Sequence, residues 1–96
     1  MATLYIAEFI LETINGVPYA KQPPVGEQTV AIAAGAASSA PFSHATKLVR
    51  LHCDVACSIR FGGGAASSAN TRMAANQTEY FAAPVPGDSV SVIASA

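Results

Sequence analysis

The 96-residue chain has no tryptophan, two cysteines, two histidines, five Lys/Arg and six Asp/Glu. Each scarcity excludes something. Two cysteines, Cys53 and Cys57, stand at Cx3C spacing. They fall short of the four ligands of a structural zinc site, since His52 faces away from Cys53 on a strand and His44 lies in a connector. The few cations, Lys47, Arg50, Arg60 and Arg72 among them, are scattered between acids, and the net charge is −1. No basic stripe for nucleic acid or for an anionic membrane exists. A membrane helix needs about 20 consecutive apolar residues. Here Glu8 and Glu12 interrupt the first apolar stretch, and Gly35, Ser38, Ser39 and Pro41 interrupt the second. The start MATLYIAEFILE lacks the basic region of a secretory signal, so a cytoplasmic site of synthesis is expected.

Catalytic signatures are missing as well. The nine serines include no Gly-x-Ser-x-Gly elbow. No carboxylate pair stands out among Glu8, Glu12, Asp54, Glu79 and Asp88. Gly62-Gly63-Gly64 is not followed by the Lys-Ser/Thr of a phosphate loop. The sequence therefore predicts no enzyme, no catalytic residue, no cofactor and no metal.

What is present is apolar and small. Hydrophobic residues make up 51% of the chain and charged residues 11%, against about 25% in an ordinary soluble domain. Twenty residues are alanine. Disordered chains show the reverse balance. The length sets a single domain over residues 1–96. Much of its surface must then be Ala, Ser, Thr, Gly and aliphatic, a composition that invites association. Apolar connectors, as distinct from apolar strands, point to a surface covered by other protein.

Alternation and β-branched residues predict strands over 3–14, 28–34, 46–53, 57–61, 79–82 and 89–94. Asn15-Gly16 signals a tight turn. Residues 17–26 hold Pro18, Pro23, Pro24 and Gly26, and read as an extended arm or loop because proline cannot donate to a ladder. Strands 46–53 and 57–61 read as a hairpin, with Val49, Leu51, Cys53, Cys57, Ile59 and Phe61 inward and Ser58 and Arg60 outward. Residues 84–88 (PVPGD) read as a turn. The hexapeptide GAASSA occurs at 35–40 and again at 64–69, in dissimilar surroundings, as shared loop composition. The fold class is all-β: a small antiparallel sandwich or barrel, with a jelly roll among the options.

Cys53 and Cys57 would face each other across a three-residue loop. Two buried free thiols are the favoured reading over a disulfide. Adjacent Tyr80 and Phe81 must point to opposite faces of a strand, one into the core and one toward a partner. The candidate protein-contact residues are Tyr5, Phe9, Tyr19, Pro23, Pro24 and Tyr80.

Four stretches carry a family resemblance: MATLYIAEF, EQTVAI, TKLVRLHCDVACSIRFG and RMAANQTEYFAAPVPGDSVSVIA. Together they resemble the small virion structural proteins encoded near the major capsid gene of tailed bacteriophages. The resemblance implies a capsid decoration (cement) or related head accessory protein, assembled in the host cytoplasm and residing in the virion. It further implies a homo-oligomer, here expected as a trimer, bound to the major capsid protein or to other virion proteins. A head-fibre, tail or connector component and a free-standing carbohydrate- or receptor-binding module are the alternatives.

Overall fold

The computed structural model describes residues 2–82, 85 and 87–94. Ten antiparallel strands run in chain order: β1 Thr3–Phe9, β2 Leu11–Ile14, β3 Val17–Ala20, β4 Gly26–Ala31, β5 Ala37–Ser38, β6 Leu48–Cys53, β7 Cys57–Phe61, β8 Thr71–Met73, β9 Thr78–Ala82 and β10 Val90–Ala94. No helix occurs among the described residues. One sheet has the order β4-β1-β6-β9, a second β5-β10-β7-β8, and β2-β3 form a hairpin of their own. The all-β class expected from alternation, a sandwich or barrel, is what forms, with two four-stranded sheets sharing one core. Without the hairpin, the eight remaining strands follow the order of a jelly roll whose customary last strand stands first.

Alternation determines which side chains meet. Leu4, Ile6, Val30, Val49, Leu51 and Cys53 of the first sheet are buried in one cluster with Cys57, Ile59, Met73, Val90 and Val92 of the second. Phe42, in the connector between β5 and β6, is buried in the same cluster. Phe61 and Phe81 pack at its margin with ring centroids 5.0 Å apart, an edge-tilted geometry favourable for aromatic pairs.

The expected hairpin of residues 46–61 does not form. β6 pairs with β1 and β9, whereas β7 pairs with β10 and β8, so residues 54–56 cross from one sheet to the other. Alternation identifies a buried face but not its sheet, and a three-residue connection serves either geometry. Asp54 anchors the crossing: its carboxylate accepts the Thr3 N–H at 2.7 Å. Both cysteines still point inward and are free. The Cys53 thiol donates to the Ala74 carbonyl at 3.1 Å. Burial first, then the neighbouring Cys53, pushes the Cys57 thiol up to about 12.

Two further expectations are corrected. Ser58, expected outward to solvent, is fully buried and its hydroxyl has no partner. The small-residue connectors are partly interior rather than waiting surface. Ala66 is buried and its N–H donates to Ser91 Oγ at 2.9 Å. The other GAASSA copy supplies β5, which pairs Ser38 with Ser91. Ser39 beside it donates its N–H to the Val90 carbonyl and accepts the Val90 N–H. Alanine and serine are small enough to let a loop lie directly on a sheet. Of the predicted 84–88 turn, Pro84 and Pro86 lie outside the described residues. The Asp88 N–H reaches the Val85 carbonyl at 2.9 Å, and Gly87 takes a φ of +79°.

Candidate interaction surface

Residues 11–20 form a β-hairpin that neither sheet extends. Its loop is Asn15-Gly16, with φ of 51° and 79°. Both residues occupy the left-handed region, as a two-residue type I′ turn requires. The register pairs Ile14 with Val17, Thr13 with Pro18, Glu12 with Tyr19 and Leu11 with Ala20. In such a ladder, hydrogen-bonded and non-bonded pairs alternate. Counting outward from the turn, Pro18 falls on a non-bonded pair, where no N–H is needed. That placement is why a proline sits inside a strand, and why residues 17–20 are not the loop that the proline content suggested.

The arm beyond it is a bulge. The Lys21 N–H donates to the Ile10 carbonyl and the Val25 N–H to the Glu8 carbonyl. Residues 22–24 are thus extra on this strand opposite Phe9, and the Gln22–Pro23 peptide bond is cis. Gly26 opens β4 and lies opposite Glu8.

Exposure separates the six contact candidates. Tyr19 is 51% exposed and stands on the hairpin with Leu11, Ile14 and Val17, all exposed. Pro23 is exposed and Pro24 half-buried in the bulge. Tyr5 and Tyr80 are exposed on the outer face of the first sheet. Phe9 is the correction: it is 5% exposed and offers no area to a partner. It shares the outward alternation of Tyr5, but that face is open only toward the Tyr5 end of β1. Phe81 packs against the core, as its opposition to Tyr80 requires.

The hairpin side chains Leu11, Ile14 and Val17 escaped the sequence reading because residues 3–14 read as one covered strand. The signal was there: Asn-Gly flanked directly by Ile14 and Val17 marks a two-residue hairpin turn with both residues beside its tip.

The outer face of the first sheet carries a groove of about 620 Å³. Tyr5 is in register with Thr29 on one side and His52 on the other, and Ala7 with Glu27 and Arg50. Arg50 is in turn opposite Tyr80. The Tyr5 and His52 rings stand 6.2 Å apart at 44°, and His52 Nδ1 lies 2.8 Å from Thr78 Oγ1. Among the described residues, no group of three His, Cys, Asp or Glu side chains converges on a metal position, and no helix is long and apolar enough to cross a membrane.

No protein-family model, curated protein sequence or solved structure matches this chain significantly.

Proposed function

We propose that the chain is a non-enzymatic virion structural protein, a capsid decoration (cement) protein of a tailed phage that binds the major capsid protein lattice through its β2–β3 hairpin. The observation that supports this reading most is the hairpin itself. It projects beyond the β1–β4 ladder that supports its base, and every residue from 11 to 19 is exposed. Four of them are Leu11, Ile14, Val17 and Tyr19. Fully burying one such side chain stabilises by about 1.5–3 kcal/mol. Covering the exposed half of each contributes about 1 kcal/mol, and about 4 kcal/mol for the four. Repetition over a symmetric shell multiplies that through avidity.

The low charge of the body and the bulged proline segment behind the hairpin fit the same role. Proline at 18, 23 and 24 limits the free states of the arm and lowers the entropy lost on docking.

The test replaces residues 11–20 by a short glycine turn and measures occupancy on purified particles by quantitative gel densitometry. Loss of binding with unchanged β-sheet circular dichroism supports the reading. Unchanged occupancy overturns the role of the hairpin. A copy number matching one vertex or the tail, rather than hundreds per particle, replaces decoration by a connector or tail role.

A further inference from the structure

We infer that the groove on the outer face of the first sheet is a binding site for a neutral saccharide, independent of the hairpin. Its volume of about 620 Å³ lies within the usual span of small-ligand sites, roughly 300–1,000 Å³. The floor is Ala7, a small side chain on the inner strand β1. Its two register partners rise on either side: Glu27 on β4 and Arg50 on β6. Adjacent strands lie about 4.8 Å apart, which sets the two flanking backbones roughly 10 Å from each other. One sugar ring fits that gap. Tyr5, two residues along β1, closes the end beside His52.

Charge decides between ligand classes. The walls carry one carboxylate and one guanidinium, so a phosphate or other anion drawn to Arg50 meets Glu27 opposite, and a cation meets the reverse. A ligand with no net charge but many hydroxyls uses both walls. It donates to Glu27, which only accepts, and accepts from Arg50, which only donates. The apolar face of a pyranose suits the exposed Tyr5 ring. Tyr80, opposite Arg50 on β9 and 56% exposed, supplies a second ring for the next unit of a chain. A rigid four-stranded sheet holds these groups, so little order must be imposed on binding.

The test titrates the isotope-labelled protein with neutral hexoses and their short oligomers at millimolar concentration, following amide shifts. Uronate oligomers and inorganic phosphate serve as charged comparisons. The expected result is shifts confined to β1, β4, β6 and β9 with at least one neutral sugar, and binding weakened tenfold or more by Tyr5→Ala and by Arg50→Gln. Tyr19→Ala and the hairpin deletion leave it unchanged, so failure of the docking role and of this site are distinguishable. Shifts with single hexoses support a free-sugar site, and shifts with oligomers only support a polysaccharide reaching Tyr80. Absence of shifts across the neutral set overturns the inference. So does tighter binding of the charged probes, or binding that both groove substitutions leave intact.

Discussion

Substituting Gly26 by alanine tests how the first sheet holds the connector before β6. Glu8 is 5% exposed, and its Oε1 accepts the Ser43 N–H and the Thr46 hydroxyl, both at 2.8 Å. Gly26 lies opposite Glu8 in the β1–β4 register. A Cβ at position 26 would stand 2.8 Å from Glu8 Oε2 and 3.3 Å from Cδ. A carboxylate at the end of a free side chain would swing aside cheaply. This one is held by two hydrogen bonds, each worth about 1.5–3 kcal/mol because the acceptor is charged. Gly26→Ala therefore costs about 2–4 kcal/mol, by partial loss of those bonds or by strain. At about 4–8 °C per kcal/mol for a domain of this size, the melting temperature falls by roughly 8–32 °C. The backbone at 26 is not in the left-handed region, so alanine itself is tolerated there. In a Glu8→Ala background the nearest obstructing atoms are gone, and Gly26→Ala is neutral or stabilises by about 0.4–1 kcal/mol through the unfolded state. Urea unfolding of the wild type, both single variants and the double variant gives the coupling. Equal costs in the two backgrounds, within about 0.5 kcal/mol, would refute the clash.

Other substitutions probe separate parts. Ser58→Ala removes a buried hydroxyl that has no partner, and stability rises by about 1 kcal/mol in urea unfolding. Gly16→Ala strains a φ of +79° by about 1 kcal/mol; amide exchange accelerates across residues 11–20 while the melting temperature of the sandwich stays put. Cys57 is raised from 9.0 to about 12 in the fold, so the folded state keeps a proton that the unfolded state releases first. Its contribution is complete below about pH 9 and fades between about pH 9 and 12, and Cys57→Ser flattens the fall of the urea midpoint across that window. Leu51→Ala, at a fully buried position, costs about 2–5 kcal/mol by the same assay.

The sandwich was legible because alternation at Val49, Leu51 and Cys53, at Cys57 and Ile59, and at Val90 and Val92 marks strands with an apolar face turned to the core. The partners of those strands were not legible. Hydrophobic period reports a face, and the crossing at residues 54–56 needed the long-range pairing of β6 with β1 and β9. β5 and β8, two and three residues long, are too short for a period and hold their place through β10 and β7. Pro18 hid a strand because its harmlessness depends on register counted from the turn. The groove was invisible for the same reason: Glu27, Ala7, Arg50 and Tyr80 come from four strands and meet only through cross-strand register.

Ser91 is met twice by the same six letters. One GAASSA copy lies beside it as the edge strand β5, and the other lies over it as the loop holding Ala66. An identical hexapeptide cannot carry the instruction that tells the two places apart. The distinction is held by the tethers: one copy follows β4 after three residues, and the other leaves β7 through Gly62 and Gly63. Exchanging the two hexapeptides changes no residue, whereas lengthening either tether removes the address. Here the chain specifies location by wiring, and the words at the two destinations are interchangeable.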